Sequence, residues 1–122
     1  MQIIKLAPLL LALLPSLARC QPPPEAIPVP VVRVVDGDTF YGQAGAFTIK
    51  FRLATIDTPE RGEPGYDEAT AWLEAHIGDT VWVHTHGTGS FNRPLVDCYN
   101  WAGQHLNCAL LELGLAAVYR PS

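Results

Sequence analysis

Val31 to Leu53 reads VVRVVDGDTFYGQAGAFTIKFRL. In its last eight residues, AFTIKFRL, Phe47, Ile49, Phe51 and Leu53 fall on one side of a pleated strand, and Thr48, Lys50 and Arg52 on the other. Arg52 therefore belongs to a polar face and not to a core. Upstream, Val31–Val35 is rich in β-branched residues and runs into Asp36-Gly37-Asp38, a turn signal. Thr39–Gly42 forms a second strand, joined to the third through Gln43-Ala44-Gly45.

Downstream, Pro59–Gly65 is loop, with Gly62, Pro64 and Gly65. Asp67–His76 has helical spacing, with Ala69, Trp72 and Leu73 on one face, and Gly78-Asp79 closes it. Thr80–Thr85 and Leu95–Tyr99 are strands on either side of a Gly-rich loop, Gly87–Asn92. Asn107 is expected to cap a short helix, CALLELG, with Gly114 just past its end. Three strands, a helix, two strands and a helix predict a mainly β fold with helices (α+β), a small five-stranded OB-fold-like barrel.

The 122 residues are one domain's worth of chain, and 48% apolar residues exclude a disordered acidic protein. Lys plus Arg number 8 against 12 Asp plus Glu, a formal charge of −4, which argues against a strongly basic nucleic-acid binder. Residues 1–18 carry one early cation, Lys5, then an apolar run from Leu6, then Ser16 and Ala18 before a cleavage point, the layout of a secretory signal peptide. The apolar core is too short for a membrane anchor. Cleavage after Ala18 takes the charge to −5, and a periplasmic or secreted protein is expected. Cys20 is a minor lipidation candidate, because Arg19 replaces the small residue wanted before it. Residues 19–30, with QPPPEAIPVP at 21–30, are expected to be a Pro-rich spacer, and 31–122 the folded domain.

The polar residues cluster at the strand ends. Asp36 and Asp38 lie in the DGDT turn, Arg52 ends the third strand, Asp57-Thr58-Pro59-Glu60 follows at once, and Arg93 comes after the second loop. Acids that suit a hard divalent ion, arginines that neutralise a phosphate and a further carboxylate that activates water are the parts of metal-assisted phosphodiester cleavage. Singly, each has a plainer explanation: a turn, a strand end, a solvated loop pair or a surface cation. An EF-hand is excluded, because the sixth position from Asp36 is Tyr41 and the twelfth is Phe47.

The combination is specific. VDGDTF, FRLATIDTPE, Arg93 and the closing run resemble the staphylococcal nuclease (thermonuclease) family over about Val31 to Pro121, with the spacing DGDT-x12-R-x4-DTPE. The resemblance implies an OB-like barrel and an endonuclease that cleaves DNA and RNA with Ca²⁺ and leaves 3′-phosphate ends. It implies that Asp38 and Asp57 bind the metal through carboxylates and Thr58 through its carbonyl, with Asp36 and Thr39 in the outer shell. Arg52 and Arg93 match the phosphate-clamping arginines, Glu60 the water-activating carboxylate, and Tyr119 a substrate-stacking tyrosine.

The chain departs from the family pattern in places. Gly89-Ser90-Phe91-Asn92-Arg93 stands where the family has Asp-x-Tyr-Gly-Arg, although Asn92 tolerates the same left-handed backbone. The loop after Glu60 is short, Ala117 stands for a second tyrosine, and the family's long C-terminal helix is truncated at Ser122. The expected product is a monomer. A Cys98–Cys108 disulfide is expected in an oxidising compartment. His84 and His86 share a strand face but, with no Cys pair beside them, are expected to be surface histidines. Trp72 is expected in the core and Trp101 at the surface. The alternatives are a non-catalytic OB-fold nucleic-acid-binding module and an OB-fold oligosaccharide binder. Joint retention of Asp38, Arg52, Asp57, Glu60 and Arg93 disfavours both.

Overall fold

The computed structural model describes residues 22–89 and 92–119; the expected signal peptide and Cys20 lie outside them. Five strands close into a barrel in the order β1 (Ile27–Asp36), β2 (Thr39–Ala44), β3 (Phe47–Leu53), β6 (Pro94–Tyr99) and β5 (Thr80–Thr88). All pairings are antiparallel except β3 with β6, where Arg52 opposes Leu95 and Leu53 opposes Val96. A two-stranded ribbon pairs β4 (Ile56–Asp57) with β7 (Ala117–Val118). Two helices, α1 (Tyr66–His76) and α2 (Leu106–Glu112), complete the domain, which is the expected OB-fold-like architecture. Among the described residues, no helix is long and apolar enough to cross a membrane.

The barrel interior follows from strand alternation. Phe40 and Phe51 stack at 5.2 Å between ring centroids, surrounded by Val29, Leu53, Val81, Val83 and Val96, all buried. Leu73 and Ile77 of and beside α1, and Leu106 and Leu110 of α2, add to the same core. Phe47 shares the parity of Phe51 but is 72% exposed, because it sits at the hairpin end of β3, opposite Ala44. Trp72 packs against the core and Trp101 is exposed, as expected.

Three expectations are corrected. First, β1 begins at Ile27, not Val31: Ile27–Pro30 of the Pro-rich stretch pair with Val83–Thr80. Strand N–H groups alternate in direction. The Val31 N–H points to Asp79 O at 2.8 Å, so those of Ile27 and Val29 also face β5, while Pro28 and Pro30 have no donor on the other side. Pairing with β2 starts only at Val31–Gly42, so the missing donors leave no ladder bond unmade.

Second, Asn107 is not a helix cap. His105 stands at the N-cap without a side-chain bond, and Asn107 is buried inside α2. Its amide donates to Ala54 O and Val96 O, both at 3.0 Å, and its Oδ1 accepts from Cys98 N–H at 2.9 Å. One side chain thus ties α2 to β6 and to the turn after β3. Gly114, with φ +74°, does follow the helix as expected.

Third, Cys98 and Cys108 do not form the expected disulfide. Cys98 faces inward from β6 and is completely buried, and burial pushes its thiol pKa well up. The Cys108 sulfur lies 2.8 Å from His105 Nδ1, on α2.

Asn107→Ala leaves the buried Cys98 N–H without its acceptor, whereas Val96 O retains the Ala54 N–H bond at 2.8 Å. Such a loss costs about 2 kcal/mol of folding stability, to be read from urea denaturation as a lower midpoint with an unchanged slope.

Candidate active site

The β1–β2 turn, the end of β3 and the segment after β4 meet at one end of the barrel. Asp36 Oδ1 accepts the Asp38 N–H at 3.1 Å, closing the turn around Gly37. Gly37 is required here: a Cβ would lie 2.7 Å from Ala69 Cβ and 3.0 Å from Thr58 side-chain atoms. The turn is therefore seated directly on α1 and on the DTPE segment. Thr55, with φ +66°, makes the sharp reversal between β3 and β4 that returns the chain to Asp57 beside Arg52.

Arg52 holds this end together. Its Nη1 lies 3.3 Å from Asp38 Oδ2, and its Nη2 3.3 Å from Asp57 Oδ1. Nη1 also donates to Leu53 O and Ile56 O at 3.2 Å. Asp38 is buried and further bound: Oδ1 accepts from Thr39 Oγ1 at 3.0 Å and Oδ2 from the Thr58 N–H at 3.1 Å. The Tyr119 ring lies 5.6 Å from the Arg52 guanidinium, a cation–π distance, and the Tyr119 N–H bonds Thr55 O at 2.8 Å.

The acids differ sharply in proton affinity. Burial opposes ionisation of Asp38. The Arg52 guanidinium, aided by hydrogen bonds from Asp36, the Thr58 N–H and Thr39, outweighs it and holds the carboxyl below the usual range. No cation contributes in this way to Asp36 among the described residues. Burial first, then its hydrogen bond and charge repulsion with Asp38, push it up to about 6.

One cleft of about 180 Å³ is lined by all eight residues that the sequence assigns to metal, phosphate and attacking water: Asp36, Asp38, Thr39, Arg52, Asp57, Thr58, Glu60 and Arg93. Glu60 is exposed, its N–H held by Glu63 Oε1 at 2.6 Å. Arg93 enters from Asn92, which takes the left-handed conformation expected of it (φ +56°), and the Arg93 carbonyl accepts the Gly89 N–H at 2.7 Å. A model of the staphylococcal nuclease homologue family matches residues 50–122, more than half of the chain. The chain belongs to the staphylococcal nuclease family. Curated relatives include a probable endonuclease LCL3 of Vanderwaltozyma polyspora, 38% identical over 59% of this chain, and that of Saccharomyces cerevisiae, 37% identical over 59%. The chain spans only 30% of the length of these two fungal proteins. An uncharacterized endonuclease of Escherichia coli O157:H7 is 31% identical over 73% of the chain and 59% of that protein.

Within this nuclease-family domain, two features escaped the sequence. The β7 strand, which pairs Ala117 with Asp57, is two residues long and has no periodicity to detect. The second is the set of groups around Asp97, which β-strand register alone brings together.

Asp36 and Gly37 supply two checks. A carboxyl raised from 3.8 to about 6 is ionised at a cost in the folded state above pH 6, a cost that fades as pH falls towards 4. In EDTA, Asp36→Asn is therefore more stable than the parent at pH 7.5 by about 1 kcal/mol, discounted for solvent screening, and the gain shrinks between pH 6 and 4 in thermal melts. Gly37→Ala overpacks the turn against Ala69 and lowers stability by about 2 kcal/mol in the same melts.

Proposed function

We propose that this protein is an exported, Ca²⁺-dependent endonuclease that hydrolyses phosphodiester bonds of DNA and RNA and leaves 3′-phosphate ends. The observation that carries this reading is the single cleft shared by Asp38, Asp57, Glu60, Arg52 and Arg93. A binding module would have no use for an exposed carboxylate beside two arginines and a crowded acid pair. The endonuclease names of the relatives agree with it.

The donor set fits a hard cation. Asp38 and Asp57 offer carboxylate oxygens and Thr58 its carbonyl, with Asp36 and Thr39 in the outer shell, an all-oxygen set. Bound there, Ca²⁺ supplies neutralisation of the scissile phosphate and acidifies a water.

The chain's own groups do the rest. Glu60, exposed to the cleft, orients the attacking water or takes its proton on the carboxylate. Arg52 and Arg93 donate to the equatorial phosphate oxygens, where charge accumulates in the transition state. Arg52 approaches that position from its bridge between Asp38 and Asp57, so its fork is already oriented before substrate arrives. Tyr119, 48% exposed, offers a ring face for a base. An open groove of about 490 Å³ continues from Asp57 and Pro59 to Leu115 and Ala117, room for an adjoining nucleotide. A formal charge of −4, or −5 once residues 1–18 are removed, supplies little general attraction to nucleic acid, so binding is weak and metal-dependent. Residues 1–18 act as the signal peptide, for a periplasmic or secreted product that works as a monomer, with lipidation at Cys20 a minor route.

Purified protein is expected to degrade single-stranded DNA and RNA with Ca²⁺ and not with EDTA, giving ends that accept a tailing polymerase only after phosphatase treatment. Arg52→Ala, Arg93→Ala and Glu60→Gln each lower the rate on the order of 10³-fold. Undiminished cleavage by Glu60→Gln would sink the role of Glu60. Binding of single strands without any cleavage would establish the non-catalytic module instead.

A further inference from the structure

A second polar cluster lies on the outside of the barrel, on β5 and β6. His84 and His86 alternate on β5 and so project from one face. Asp97 of β6 sits directly opposite His84 in the register. His86 Nε2 lies 2.6 Å from Asp97 Oδ2, and one ligand atom from each of the three residues falls within 4.8 Å of the others. Two more groups flank them. Glu25, just ahead of β1, places Oε1 3.4 Å from His84 Nε2. His105 places Nε2 3.4 Å from Asp97 Oδ1.

His105 is built in and not merely nearby. Its side chain is 14% exposed, its ring stacks on Tyr99 at 4.7 Å, and its Nδ1 faces the Cys108 sulfur at 2.8 Å. Its Nε2, without a hydrogen-bond partner of its own, stands behind Asp97 Oδ1, while Oδ2 lies against His86. A carboxylate backed by a largely buried imidazole and flanked by two accessible ones is the arrangement of a transition-metal ligand with its supporting partner. Two imidazole nitrogens and carboxylate oxygens suit a borderline ion. Ca²⁺, which prefers oxygen alone, is a poor match.

We propose that His84, His86 and Asp97 bind a Zn²⁺ ion, with Glu25 as fourth ligand and His105 as the residue that positions Asp97. Tetrahedral zinc keeps its ligands at about 2.0–2.2 Å and hence about 3.4 Å from one another, so His86 Nε2 and Asp97 Oδ2, now 2.6 Å apart, open to admit the ion while the wider pairs close in. The exposure of His84 and His86 leaves their side chains room for that movement. Entry of the ion replaces the His86–Asp97 hydrogen bond, and any proton displaced leaves to solvent. The ion joins the lead-in to β1, β5 and β6. It thereby staples the hairpin whose far end delivers Arg93, four residues before Asp97. This site is distinct from the Asp38–Asp57 cleft and does not rest on the nuclease reading.

The test is calorimetric titration of the tag-free protein with Zn²⁺ in excess Ca²⁺, with Co²⁺ absorption as a readout of coordination. Saturable binding of one ion per chain is expected, with tetrahedral Co²⁺ bands and a higher melting temperature. The His84→Gln/His86→Gln variant is expected to lose affinity by more than about 100-fold, and His105→Gln by about 10-fold or more. Asp57→Asn is expected to bind Zn²⁺ as the parent does. No saturable binding in the parent, parent-like affinity in the double His variant, or loss of binding in Asp57→Asn would each overturn the site. Unchanged affinity in Glu25→Gln would overturn the fourth-ligand assignment. Circular dichroism of each variant confirms the barrel, since both histidines are on the surface.

Discussion

The Arg52 guanidinium lies between two carboxylates and two backbone carbonyls that the chain reversal after β3 would otherwise leave crowded at one end of the barrel. Asp38 is buried, and a buried carboxylate without a cation is expensive enough to protonate or to unfold its surroundings. Arg52 lets Asp38 stay ionised, which lets the Thr39 hydroxyl and the Thr58 N–H remain bound to it, which in turn holds the DTPE segment against the DGDT turn. The same contacts leave Asp36 as the uncompensated member of the pair.

Rigidity around this cleft comes also from the packing and backbone pairing behind it. Asn107 satisfies three backbone groups of β6 and of the turn after β3 with one amide. It fixes the parallel pairing by which Arg52 lies beside Leu95, one residue beyond Pro94 and two beyond Arg93. Gly37 lets the acidic turn sit in van der Waals contact with α1. The β4–β7 ribbon brings the chain's last described residues back over Asp57, which is why Tyr119 comes to rest against Arg52 although 67 residues of sequence separate them.

The low overall basicity fits a protein that concentrates its charge instead of spreading it. Positive charge converges on the cleft from Arg52 and Arg93, while a separate set of imidazoles gathers around Asp97 on the outer face of β5 and β6. There, the Asp97 carboxyl is held below its usual range despite burial, by its contacts with His105 and His86. Two polar clusters on one small barrel, one all oxygen and guanidinium and the other rich in imidazole, suit different ions on chemical grounds.

Legibility in the sequence followed the range of the interactions. Strand alternation at Phe51 and Leu53, the DGDT turn, the left-handed Asn92 and the Gly114 helix end are local, because they depend on a residue and its few neighbours. The spacing of Asp38, Arg52, Asp57 and Glu60 was readable for the same reason, since one hairpin and one turn bring them together. The Pro28 and Pro30 strand, the buried Asn107 and the thiols of Cys98 and Cys108 were misread, because each depends on what lies on the other side of the barrel. Local patterning is enough for the barrel and for the residue types of the cleft. Which side chains share a carboxylate or a carbonyl depends on the folded arrangement, because strand register and helix docking set those distances and neither is encoded within any one segment.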